Sequence, residues 1–165
     1  DAFAKHFGAY KTLNLGFSGD RTQHALWRLY NGEFTDLTPK ALVLLIGTNN
    51  TGHVKQDPAE TAQGIGEIIK FIRDRSPNTK IILHPVFPRG PSKDDEMRKI
   101  NDAINQRCAA FADDKSVFLL DLAPKFLQAD GTLSKETMPD LLHLNPSSYE
   151  IWGQAISEKL KSLGL

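Results

Sequence analysis

Short apolar runs alternate along this chain with longer stretches in which apolar residues return every three or four positions, and that alternation leaves few folds open. The runs at 41–46 (ALVLLI), 81–86 and 117–122 are nearly continuous, and a shorter one falls at 13–17. Continuous apolar character marks strands buried on both faces, as in a parallel sheet covered by helices. The intervening stretches read as helices, so the expected topology is βαβαβαβα, an α/β fold with a parallel sheet.

The helical stretches can be placed by their faces and starts. Residues 22–30 form one, with Asp20 placed to cap it, and Pro58 opens a long helix carrying Ile65, Ile68, Ile69 and Ile72 on one face. Residues 94–112 align Met97, Ile100, Ile104, Cys108 and Phe111, and Pro146 begins a last helix with Tyr149, Trp152, Ile156 and Leu160 inward. Trp27 and Trp152 are expected to pack in the core. Segments 88–95 and 130–139 read as surface loops.

At 165 residues the chain is long enough for one core and too short for two ordinary domains, so residues 1–165 read as a single domain. Twenty basic and twenty acidic residues cancel, which removes the overall field expected of a nucleic-acid binder. Cys108, the only cysteine, has no disulfide partner and is expected to be a buried small apolar residue. No stretch approaches the roughly 18 to 20 apolar residues of a membrane span, and the opening DAFAKHFGAY lacks a leader's apolar core. Compartment is left open; export is compatible with a leader lying upstream.

Ligands of an open parallel sheet bind where loops leave the carboxyl ends of the strands. Those positions hold Gly16 to Asp20, Gly47 to Asn50, Pro88 to Gly90 and, beyond the last strand, Asp140 to His143. Asp140 and His143 are spaced so that one turn brings the carboxylate onto an imidazole nitrogen, making a general base with its orienter. The same DxxH spacing also serves as a plain structural tie. Gly19, between a strand and a helix, presents a backbone N–H to a developing oxyanion, or simply satisfies a tight turn. Asn49 offers a side-chain amide as a second donor, or caps its own turn. His84, inside an apolar run, reads as a core histidine with its hydrogen bonds met; His6 and His24 read as packing or solvent-facing residues, and His53, after GTNN, as a surface residue or one that lines the cleft. Arg89, at the cleft edge, is placed to contact an acidic or polar substrate but is not counted among the site residues.

The order and spacing of these blocks resemble the SGNH hydrolases, also called GDSL esterases and lipases. NLGFSGDRT is similar to the family's second block with Gly19, GTNN to its third with Asn49, and DLLH to its last with Asp140 and His143. SGDRTQHALWRLYNGEF, FPRG and LLHLNPSSYEIWG extend the likeness to the platelet-activating-factor acetylhydrolase-like branch, in which many bacterial members deacetylate sugars. The resemblance implies a three-layer α/β/α sandwich with a flavodoxin-like sheet. It also implies ester hydrolysis through an acyl-serine intermediate, on a small ester such as an acetylated sugar. In it Gly19 and Asn49 would line the oxyanion hole, His143 would be the base and Asp140 its orienter. Asn50 stands where many members carry aspartate.

The family's opening block, a strand ending in Gly-Asp-Ser, has no counterpart here, and DAFAKHFG is similar to the end of the helix that follows it. Ser18, Ser134, Ser147 and Ser148 are poor substitutes. The expectation is an N-terminally incomplete domain lacking its central first strand, inactive alone, prone to aggregate, and completed by another segment or by a homo-oligomer. The competing reading is an inactive SGNH-like module that binds a sugar or protein. A nucleotide binder is disfavoured, because there is no Walker lysine and Gly64-Ile-Gly66 lacks a third glycine. No HExxH or paired histidine and carboxylate spacing calls for a metal, and no cofactor is expected.

Overall fold

A computed structural model of the chain describes residues 2–165. Strands β1 (Ala41–Leu44), β2 (Lys80–Leu83) and β3 (Val117–Leu119) form a parallel sheet in the order β1-β2-β3. Val43 lies opposite Ile82, which in turn lies opposite Phe118. β2 is the central strand of the three, and Ile81, Ile82 and Leu83 are each at most 1% exposed. Such burial accounts for the unbroken apolar runs, since neither face of the strand meets water.

Successive strand residues serve opposite layers. Ile81 and Leu83 join Leu42, Leu44, Val117 and Leu119 against helices α2 (Thr22–Arg28), α4 (Pro58–Arg75) and α5 (Glu96–Cys108). Ile82 turns the other way, to Ile156, Leu160 and Trp152 of α7 (Pro146–Ser162) and Phe7 of α1 (Ala2–Phe7). The expected three-layer α/β/α sandwich is thereby formed. In α4, Pro58 occupies the first turn, as the sequence predicts, and Asp57 before it accepts from the N–H of Ala59 at 2.6 Å. Ile65, Ile68, Ile69 and Ile72 are all buried, each contributing about 2 kcal/mol of transfer free energy. Short helices α3 (Thr48–Val54) and α6 (Ala123–Phe126) complete the chain.

Several expectations are corrected. Residues 13–17 make no strand: they have no regular structure and no ladder partner among the described residues, and Leu13 is 64% and Phe17 57% exposed. A strand exists only through its neighbour, and none of the described segments pairs with this one. The described residues therefore form three strands where four were expected. Trp27 is exposed, because α2 packs through Ala25, Leu26 and Leu29 and turns Trp27 outward. Tyr149 is exposed as well, and Trp152 is half-buried. Asp20 does not cap α2, since its carboxylate is held by both terminal nitrogens of Arg28 and the cap position falls to Arg21. Cys108 and His84 are buried as expected.

Candidate active site

The carboxyl end of β1 leads through Leu45 and Ile46 to Gly47, whose φ of +127° and lack of a side chain permit both a sharp turn and contact with Val86. A Cβ there would stand 2.9 Å from Val86 Cγ2. Gly47 is the cap residue of α3, so Asn49 and Asn50 fall in that helix's first turn. Their side chains diverge. Asn50 is fully buried; its Oδ1 accepts from the N–H of Thr22 at 3.1 Å, and its Nδ2 donates to Thr22 Oγ1 at 3.0 Å and Gln56 Oε1 at 2.7 Å. A carboxylate could not make those donations, which explains asparagine at this position.

Asn49 donates from Nδ2 to the carbonyl of Asp20 at 2.9 Å, fastening α3 to the Gly19-Asp20 turn. One amide hydrogen of Asn49 remains without an acceptor among the described residues. Gly19 has φ +80°, which meets the turn requirement, and its N–H is likewise without an acceptor among the described residues. His53 is exposed and lies beside Gly19, its Cε1 3.9 Å from where a Cβ would sit.

The Asp140 loop rests on a satellite core of Leu122, Phe126, Leu133 and Met138, into which Leu141 packs with its backbone at φ +60°. That left-handed residue turns its neighbours outward. Asp140 Oδ1 accepts from the backbone N–H of Leu142 at 3.0 Å and of His143 at 2.7 Å, and Oδ2 accepts from His143 Nδ1 at 2.6 Å. The hydrogen bond from the histidine ring, helped by the two backbone donors, lowers the Asp140 pKa to about 2. An ionised carboxylate accepts only, so the ring nitrogen facing it, Nδ1, is the one that carries a proton, and Nε2 is the nitrogen left to exchange one. The pair is open to solvent, with the His143 side chain 74% and the Asp140 side chain 55% exposed.

The serines near these loops are committed elsewhere. Ser147 Oγ donates to Asn145, Ser148 Oγ to the carbonyl of Thr137, and Ser134 Oγ accepts from Glu136. Ser18 sits exposed in the turn before Gly19.

One feature escaped the reading of apolar faces. Arg98 and Asn101 of α5 are buried, and with Asn105 they form a polar stripe along the chain leaving β2. Asn105 pairs with Val86 through both its N–H at 2.7 Å and its carbonyl at 2.9 Å, Asn101 donates to the carbonyl of Phe87, and Arg98 donates to those of Arg89 and Gly90. The spacing 98, 101, 105 is helical, and two asparagines beside Ile100 and Ile104 were the available signal. Among the described residues no group of three or more histidine, cysteine, aspartate or glutamate side chains could hold a metal, and no helix is long and apolar enough to cross a membrane.

A parallel sheet between helix layers thus carries the Asp140–His143 pair beyond its carboxyl end. The sequence model of the GDSL-like lipase/acylhydrolase family matches residues 1–151, and the chain belongs to that family, the SGNH hydrolases. Platelet-activating factor acetylhydrolase IB subunit alpha1 of Pongo abelii is 37% identical over 144 residues, covering 87% of this chain and 61% of the relative. The chain thus spans about three fifths of the length of such relatives. The structure of a GDSL-like lipase from Bacteroides thetaiotaomicron has a TM-score of 0.77 at 19% identity, covering 98% of this chain and 81% of that one. A carbohydrate acetylesterase from Sinorhizobium meliloti has a TM-score of 0.74 at 19% identity, with 98% and 83% covered. These two likenesses establish the fold alone.

Proposed function

We propose that residues 1–165 are one domain of a serine ester hydrolase acting on small acyl esters, with an acetylated sugar as the preferred class of substrate. The observation that carries this reading is the 2.6 Å hydrogen bond from His143 Nδ1 to an ionised Asp140, which turns the ring's other nitrogen away from the carboxylate on a side chain 74% exposed. The acetyl preference draws its support from the acetylhydrolase relatives.

In this scheme His143 Nε2 takes the proton of a serine hydroxyl as the serine oxygen attacks the ester carbonyl. The oxyanion is met by the unpaired N–H of Gly19 and the spare amide hydrogen of Asn49. His143 then returns its proton to the departing alcohol, and a water repeats the cycle on the acyl-serine to release the acid. Asp140 holds the ring in one tautomer and steadies the imidazolium. Ser147 and Ser148 donate their hydroxyl protons elsewhere, Ser134 Oγ accepts within a turn, and Ser18 belongs to the turn that presents the Gly19 N–H, so the nucleophile is assigned to a serine outside these 165 residues.

The test is hydrolysis of p-nitrophenyl acetate and of acetylated xylan by the full-length protein. His143→Ala is expected to lower kcat by roughly 10²- to 10⁴-fold with the melting temperature held. Wild-type protein that binds an acetylated sugar without hydrolysing it would make this an inactive binding module instead.

A further inference from the structure

Pro88, Arg89 and Gly90 lie between the two halves of the site, and their bonds run to both. Arg89 Nη1 donates to the carbonyl of Thr48 at 2.9 Å and to Thr48 Oγ1 at 3.2 Å, one residue before Asn49. The next N–H along, from Gly90, donates to the carbonyl of Leu141 at 2.9 Å, between Asp140 and His143. Behind this segment Arg98 grips the carbonyls of Arg89 and Gly90 at 2.7 and 2.8 Å, and Asn101 and Asn105 hold Phe87 and Val86. The backbone from 86 to 90 is therefore fixed from α5, and it reaches forward with one side chain and one N–H.

Arg89 spends its hydrogen bonds on a neutral carbonyl and hydroxyl. Its guanidinium is half-buried, and burial lowers its pKa while Asp95 and Asp140 oppose the shift from further off. It makes no ion pair among the described residues. The helix beneath it is shaped to receive it: a Cβ at Gly52 would stand 2.7 Å from Nη1 and 3.2 Å from Nη2. A half-buried charge lying on a glycine and tied to a helix's first turn is arranged to hold that turn in place.

We infer that Arg89 is a positioning residue, which fixes the distance between the amide of Asn49 and the imidazole of His143. This rests on the esterase reading given above. Arg89 itself touches neither reacting atom. Its contribution is geometric, and a misplacement of about 1 Å between catalytic groups can cost on the order of 10²-fold in rate.

The experiment compares Arg89→Met, Arg89→Lys and Gly52→Ala in the full-length protein. Gly52→Ala keeps the arginine and every proposed catalytic group, replaces glycine by a better helix former, and only denies the guanidinium its seat. Arg89→Met and Gly52→Ala are each expected to lower kcat for p-nitrophenyl acetate about 10- to 100-fold, with KM within about threefold and the melting temperature of Gly52→Ala at or above wild type. Arg89→Lys, which keeps one donor for Thr48, is expected to recover part of the loss. Wild-type kcat in Gly52→Ala, a raised KM with unchanged kcat in Arg89→Met, or a Gly52→Ala protein that melts well below wild type would each overturn the inference. If the wild-type protein hydrolyses no ester, the esterase reading fails by itself. The brace is then read from the NMR signals of the Asn49 side-chain amide and the His143 ring, which both shift in Arg89→Met if it exists and stay in place if it does not.

Discussion

Asn49 and Asn50 are chemically identical neighbours with opposite duties, and burial separates them. Asn50 meets its partners on all sides, so Asn50→Asp leaves Thr22 Oγ1 and Gln56 facing a group that cannot donate. Urea unfolding should show a loss of about 1–3 kcal/mol. Asn49→Ala removes one tie to Asp20 from a half-buried side chain, and its main expected effect is on kcat, about 10²- to 10³-fold. Asp140 supplies a second test. Because the His143 ring is the largest cause of its lowered pKa, a ¹³C-detected titration should place the carboxyl near 2 in wild type and move it up toward 3.8 in His143→Ala. An unchanged midpoint would mean that the ring does not donate to this carboxylate. Asp140, His143, Gly19 and Asn49 could be singled out in the sequence because each stands in a short polar block beside an apolar run or a helix start; the structure joins His143 to Asp140, and Asn49 to the carbonyl of Asp20 next to Gly19. What Asn50 does was not legible there, since nothing in GTNN reports that Thr22, 28 residues earlier, folds back onto it.

At the scale of elements, periodicity reads faces well and reads contacts poorly. The isoleucines of α4 could be placed from spacing alone, because a 3.6-residue period and a sheet to lie on leave one solution. On α5 the same rule located Ile104 and Cys108 but passed over Arg98, Asn101 and Asn105, whose partners are loop carbonyls and carry no hydrophobic signature. His84 shows how such polar joints govern stability. Its Nδ1–H donates to the carbonyl of Leu120 at 2.8 Å and its Nε2 accepts from Trp152 Nε1 at 3.0 Å, joining the sheet to α7. Burial lowers its pKa from 6.5 to about 4, so the folded state holds it neutral. The unfolded chain takes up this proton first, which means stability is full above pH 6.5 and is lost as the pH falls toward 4. A shift of that size corresponds to roughly 3 kcal/mol. Urea midpoints measured between pH 7.5 and 4.5 should fall more steeply for wild type than for His84→Gln, and parallel slopes would show that His84 is not the group responsible.

Across the whole molecule, the parts of the site are held by every layer: the Gly19 turn by Asn49 of α3, the chain from 86 to 90 by α5, and the Asp140 loop by the satellite core. The sheet that carries them is closed unequally. β3 begins under the carboxylate of Asp113, which accepts three successive backbone N–H groups of Lys115, Ser116 and Val117. Among the described residues β1 pairs only with β2, and its Val43, aligned with the buried Ile82, is 38% exposed, outside the cluster that Ile82 forms with α1 and α7. The continuous run ALVLLI announced a strand buried on both sides, and the difference arises because burial belongs to the neighbours a strand has and not to its own residues. An uncovered apolar strand edge recruits other strands. Sedimentation of the 165-residue chain should therefore give a weight-average mass that rises with concentration. Val43→Lys, which sets a charge beside the open edge, should hold the mass near 18.3 kDa while leaving the thermal transition in place. A wild-type chain that stays monomeric over the same range, with a cooperative melt, would mean that β1's outer edge is already shielded and that its apolar residues are no source of association.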